Sequence, residues 1–310
     1  MHIGFVIKWP KNAIRQVIGE ELYAESLCRE LRQMPGVRSA QLYYPNLMPA
    51  AKIDIMIHLN ESLPGPFARK HVLYLQNFFQ QGSDVVLGYL QKKGYDGFAF
   101  FSQRLYDLHR QAGYGGIFLP LAADTTIFKP REKNPRYDYD VVYVGNDIKG
   151  EERTMRYIYP AAAKYNFGLF GNWWPYPPNG YRDLFAKLSQ GSISREESAV
   201  LYSSAKIALN YTAEDSIYWD AMNLRFFEVL ACKGFLISDK VPSAQRELKG
   251  CAVFTDGGED LIAQIEYYLS RPKEKDEIAA NGYQYILQHA TVQARAKQLH
   301  NYLQQIMEIN

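Results

Sequence analysis

Short apolar runs alternate with longer amphipathic stretches from the start of the chain: residues 2–8, then 13–34, 37–44 and 53–59. That alternation predicts strand–helix–strand units, and because each run is nearly continuous in apolar residues, its strands are expected to be parallel and buried on both faces. Further runs at 72–75, 98–101 and 116–119 extend a first sheet, with helices expected over 83–93 and 103–112. The pattern then stops between 120 and 139, where Pro120, Pro130 and Pro135 prevent either a helix or a central strand from continuing. This stretch reads as a linker. A second series follows at 140–145, 167–170, 206–210, 235–238 and 252–255, and after Asp256 the spacing becomes helical over 261–269, 273–288 and 291–308. The expectation is two doubly wound α/β lobes: 1–125, 126–290, and a last helix, 291–310.

Composition supports two cores. A chain of 310 residues with 47% hydrophobic content suits two domains of roughly 150 residues each. Cys28, Cys232 and Cys251 are widely spaced and form no C-x-x-C pair, which points to packed thiols in a reducing, cytoplasmic setting rather than to disulfides or a zinc knuckle. The apolar opening, Ile3 to Ile7, is ended by Lys8 well short of a signal sequence or a membrane span, so no membrane span is expected. A net charge of +2 supplies no long-range field for a stable nucleic-acid complex.

In parallel sheets ligands lie beyond the carboxyl ends of the strands, so the loops after each run are where chemistry is expected. Gly145 and Asn146 follow the first strand of the second series, where glycine permits close backbone approach ahead of a helix starting near Glu151. Asn172 and Trp173 belong to an aromatic, proline-stiffened loop, 170–178, which either stacks a nucleobase or closes the lobe as a hydrophobic plug. The most informative stretch is Asp220 to Glu228. A helix beginning near Asn223 would turn free amides toward a pyrophosphate, with Arg225 neutralising a further oxygen; the plainer reading is an N-cap at Asn223 and an i,i+3 pair of Arg225 with Glu228. In the first lobe His58 stands at the end of a strand, either as a general base for an acceptor hydroxyl or as a hydrogen-bonded structural residue. Asn60 and Glu61 follow it closely, and Gln76 and Asn77 are similarly placed for sugar hydroxyls.

The stretch Asn223-Leu224-Arg225-x-Phe227-Glu228-x-Leu230-Ala231-Cys232-x-Gly234, the earlier Tyr143-Val144-Gly145-Asn146, and the tail Asn281-Gly282 with Ile286-Leu287, His289 and Arg295 resemble the CgeB-like (spore maturation protein) branch of group 1 glycosyltransferases. The resemblance covers about residues 139 to 300. It implies a GT-B fold, an NDP-sugar donor in an interlobe cleft, and a final helix returning to the first lobe. It also implies that Glu228 binds the ribose hydroxyls and Asp220 faces the donor sugar. Two departures stand out: the acid pair is D-x₇-E where E-x₇-E is usual, and Ala-Cys-Lys-Gly replaces Ala-Cys-Gly.

Asp138-Tyr139-Asp140 spells the D-x-D by which metal-dependent GT-A enzymes hold a cation, but it precedes a strand and so belongs at the edge opposite the ligands. No metal or other cofactor is therefore expected. The reading is a metal-independent hexosyltransferase acting from a nucleotide diphosphate sugar on an acceptor glycan, protein or small molecule, with the acid spacing favouring retention. An epimerase on the same scaffold and a non-catalytic nucleotide- or sugar-binding module stay open beside it.

Overall fold

The computed structural model describes residues 1–11, 19–59, 62–76, 82, 93–174 and 180–308. Asn60, Glu61, Asn77, the proline end of the aromatic loop at 175–178 and, apart from Lys93, the helix expected over 83–93 lie outside the described residues. Two compact units form: Met1–Ala122 with Tyr218–Ala221 and Val292–Asn310, and Ala123–Ile217 with Met222–Thr291.

The first unit is built on strands β1 (His2–Val6), β2 (Ser39–Tyr43), β3 (Ile53–Leu59), β4 (Ala68–Leu75), β5 (Gly97–Phe100) and β6 (Ile117–Phe118). They run parallel in the order β2-β1-β3-β4-β5-β6. Ile55, Met56 and Ile57 of β3 are all buried, as a strand covered on both faces requires. The chain returns to this unit at its end: the helix Val292–Glu308 packs on the helix Gly19–Leu31, and its Tyr302 hydroxyl accepts the Phe98 amide at 3.0 Å.

The second unit carries β7 (Val141–Val144), β8 (Phe167–Phe170), β9 (Ile207–Asn210), β10 (Leu236–Asp239) and β11 (Val253–Thr255), again all parallel, in the order β11-β10-β9-β7-β8. Its core gathers Val141, Leu169, Ile207, Leu209 and Ile237 from the strands with Tyr143, Tyr211 and Phe185. The proline-interrupted stretch is held against this unit. Phe128 is buried, Arg131 N–H donates to Ser203 Oγ at 3.1 Å and Asn134 N–H to Ser204 Oγ at 2.9 Å.

In each sheet the first strand lies between the second and the third, so the chain leaves it to opposite sides. The resulting topological switch points are between β1 and β3 and between β7 and β9, where crevices open beyond the carboxyl ends. Among the described residues no helix is long and apolar enough to cross a membrane.

Candidate functional site

At the β7/β9 switch point the backbone is drawn in closely. Gly145 N–H donates to Phe170 O at 2.9 Å, Asn172 N–H to Asn146 Oδ1 at 2.9 Å, and Asp147 N–H to Asn172 O at 3.1 Å. These bonds join the loops after β7 and β8, so Asn146 and Asn172 hold the wall of the site. Gly171 has φ +122, and a Cβ there would run into the Gly145 carbonyl. A Cβ on Gly145 would run into Arg225 Nη2 and come within 2.7 Å of the Tyr143 hydroxyl. The glycine is therefore what lets Arg225 lie over β7.

Arg225 is held on two sides. Its Nη1 donates to Asn210 Oδ1 at the end of β9, 2.8 Å away, and its guanidinium carbon sits 4.4 Å from the Tyr143 ring centroid. Beside it, Lys149 donates to the Tyr143 hydroxyl at 2.6 Å and lies 4.3 Å over the Tyr211 ring. Burial, reinforced by the charge of Arg225, holds the Lys149 ammonium pKa well below the ordinary lysine range. A third cation, Arg153, pairs with Asp239, which is 1% exposed and also accepts from Thr212 N–H at 2.8 Å and Thr212 Oγ1 at 3.1 Å. Buried Nε atoms of both Arg225 and Arg153 have no hydrogen-bond partner among the described residues. Three half-buried basic side chains around one deeply buried carboxylate, with donors to spare, make a site poised for an anion.

The helix Leu224–Ala231 delivers Arg225 and Glu228. Asn223 is its N-cap, the side-chain oxygen accepting Arg225 N–H at 3.1 Å, so part of the helix's amide capacity is spent internally. The Glu228 carboxyl pKa is raised by burial, which outweighs the opposing pull of Arg195 and Arg225; Arg195 itself pairs with Asp124 at 3.6 Å. Beyond the helix, Lys233 adopts φ 57, and Gly234 fits where a Cβ would meet Tyr202 O at 2.9 Å. The inserted lysine thus takes the left-handed position that ends a helix, and the glycine one residue on makes the close contact.

Other expected site residues are placed differently. Trp173 is 6% exposed, set in the core between Phe185 at 5.2 Å and Tyr143 at 6.2 Å, which makes it the plug rather than a platform for a base. His58 is 1% exposed, with Nδ1 3.1 Å from Ser62 Oγ and Nε2 2.9 Å from His71 Nδ1. Burial and then His71 push its pKa down to about 3. Both ring nitrogens are thus engaged by neighbouring side chains, the arrangement of a hydrogen-bonded structural residue. Gln76 is likewise buried, bonded to Tyr74. Asp220 belongs to the first unit and adopts φ 54. Asp140 lies at the amino end of β7, paired with Lys206 at 2.7 Å, on the edge opposite the site. All three cysteines are free; burial lifts the Cys28 thiol to about 12 and that of Cys232 higher still, as expected of packed thiols.

Lys149, Arg153, Asn210 and Asp239 were not singled out by the sequence. Asp239 ends an apolar run and Lys149 stands four residues after Gly145, and neither position carries a motif.

Residues 153–301 match the model of a family described as Glycosyl transferase-like. Sucrose-phosphate synthase from Thermosynechococcus elongatus has a similar structure, with TM-score 0.73 and 14% identity over 100% of both chains. Anabaena HepE, solved in complex with UDP and glucose, aligns with TM-score 0.69 and 12% identity over 98% of this chain and 100% of the other. The BGT of T4 phage, solved with its UDP-glucose substrate, gives 0.64 and 14% over 100% of both. No curated protein is significantly similar in sequence. At these identities the likeness is one of fold, the GT-B architecture of two Rossmann-like sheets in tandem.

Proposed function

We propose that this protein is a glycosyltransferase that binds the diphosphate of a nucleotide sugar at the β7/β9 switch point. The observation that carries the reading is the group of half-buried basic side chains beside Gly145: Lys149 and Arg225, both held by Tyr143, with Arg153 behind them. The family match over the segment containing Arg225 and Glu228 and the UDP-sugar complexes of similar folds agree with it.

In the proposed reaction the acceptor oxygen bonds to the anomeric carbon as the bond from that carbon to the β-phosphate oxygen breaks. The electron pair leaves with the nucleoside diphosphate, whose freed oxygen also takes the proton of the acceptor hydroxyl. Lys149 and Arg225 stabilise the charge that develops there, an effect of about 10²–10³-fold for one well-placed donor. Glu228 takes the ribose hydroxyls. Because protein cations already neutralise the leaving group, transfer proceeds without a metal, and departure and attack on one face retain the anomeric configuration. The sugar moved is a hexose.

Isothermal titration with UDP in the presence of EDTA, on wild type and Arg225→Ala, is the direct test. Binding without metal that disappears in the variant is expected, with UDP-glucose then consumed only when an acceptor is added. Consumption with no acceptor would instead identify an epimerase. If a folded wild-type protein binds neither UDP nor the other nucleoside diphosphates at millimolar concentration, the proposal fails.

A further inference from the structure

Strands β9 and β10 lie side by side with Ser238 opposite Asn210, and each ends an apolar run in polar residues: Asn210 on β9, Ser238 and Asp239 on β10. Together with Thr212, just beyond β9, these residues are at most 2% exposed. Buried this deeply, their polar atoms must satisfy one another.

Their hydrogen bonds form two chains that both start at Arg225. From the side chain, Arg225 Nη1 donates to Asn210 Oδ1 at 2.8 Å, Asn210 Nδ2 to Ser238 Oγ at 2.9 Å, and Ser238 Oγ to Asp239 Oδ1 at 3.1 Å. From the backbone, Arg225 N–H donates to Asn223 Oδ1 at 3.1 Å, Asn223 Nδ2 to Thr212 Oγ1 at 3.5 Å, and Thr212 Oγ1 to Asp239 Oδ1 at 3.1 Å. Both chains therefore end on one carboxylate oxygen. The other, Oδ2, accepts Thr212 N–H at 2.8 Å and pairs with Arg153.

The direction of these chains is fixed by their ends. A guanidinium and a backbone N–H can only donate, so position 239 has to accept at both oxygens, as an ionised carboxylate does. An asparagine would set its NH₂ either against the Ser238 and Thr212 hydroxyls, whose protons it should accept, or against Arg153 and Thr212 N–H. Donor would meet donor in each case. One chain holds the guanidinium of Arg225 and the other holds the start of its helix, which gives the side chain a single setting over the Tyr143 ring.

We propose that Asp239 is a positioning residue: through the two chains it fixes Arg225 for the terminal phosphate of the donor, and so makes the site select a nucleoside diphosphate over a monophosphate. The selection rests on the donor-site reading; the chains are a property of the fold without it.

Two measurements on the full chain test this role. Side-chain NMR of ¹⁵N-labelled arginine, without ligand, reads the chains, with the Arg225 signals assigned by their absence in Arg225→Ala. Separate Nη resonances, the mark of a guanidinium that rotates slowly, are expected in wild type. They should merge in Ser238→Ala, which cuts one chain without touching Arg225 and without altering any charge. Isothermal titration with UDP and UMP reads the selection. Asp239→Asn should weaken UDP at least about tenfold and Ser238→Ala at least about threefold, while UMP, which lacks the second phosphate, changes by less than about twofold. A general loss of packing would weaken both nucleotides alike. Circular dichroism reports folding, and Ser238→Ala decides the matter if Asp239→Asn does not fold. Arg225 signals that are the same in wild type and Ser238→Ala, or equal losses of UDP and UMP, overturn the proposal while leaving the donor site in place. If wild type binds neither nucleotide, the selection falls together with the donor site.

Discussion

The two sheets share one winding order yet load their switch points in opposite ways. Beside β1 and β3, among the described residues, His58 and His71 are bonded to each other at 2.9 Å, with burial lowering the pKa of both. Beside β7 and β9 stand Lys149, Arg225 and Arg153, cations gathered around Tyr143 and Asp239. Topology provides a crevice in each case. The charge of the described side chains separates a histidine pair satisfied by hydrogen bonds from a basic group with capacity for an anion.

The sharpest way to break this contrast is Arg225→Ala. It should lower turnover about 10²–10³-fold and abolish stabilisation by UDP, read by steady-state kinetics and thermal shift. Lys149→Met should weaken UDP binding by about 10–100-fold. It should also remove a pH dependence. Lys149 is depressed below its ordinary value when folded, so on raising the pH through that depressed value it loses its proton while the unfolded chain keeps it. The cost of burying the charge is then relieved and stability rises, whereas a diphosphate, which favours the charged form, binds less tightly. Calorimetry in buffers of different ionisation enthalpy should show proton uptake on UDP binding by wild type and none by the variant.

On the first sheet the effect should be on stability alone. His58→Gln is expected to leave turnover within about twofold while costing about 1–3 kcal/mol by urea unfolding, the range for a buried hydrogen-bonding group. Since the folded pKa of His58 is about 3 against 6.5 for a free histidine, the wild-type fold loses stability as pH falls from 6.5 toward 3, and the variant should lose less of it. A change in the pH profile of kcat would return His58 to the reaction. The smallest effect belongs to Lys233→Gly, which should stabilise by about 0.5–1 kcal/mol because φ 57 suits glycine better.

Much of this was readable in the chain. The runs at 53–59 and 167–170 are β3 and β8 residue for residue, and Asn223 begins the helix that carries Arg225 and Glu228. Such elements are written in local periodicity and capping chemistry. His58 shows where that information ends, because a strand buried on both faces gives no signal of which layer a side chain enters; Trp173 does so too, because an aromatic residue in a loop after a strand reads alike whether it packs inward or faces a ligand. Lys149 was illegible for a related reason: an isolated lysine in a loop looks solvated until Tyr143 and Tyr211 close over it.

The close approach of Gly171 to the Gly145 carbonyl has an implication for tolerance to change. Every side chain at 171 must displace the loop that seats Arg225, so selection for activity will purge all nineteen alternatives there, although glycine contributes no reactive atom. In an inventory of invariant positions Gly171 would rank with the reacting residues, yet its importance is that of an empty volume.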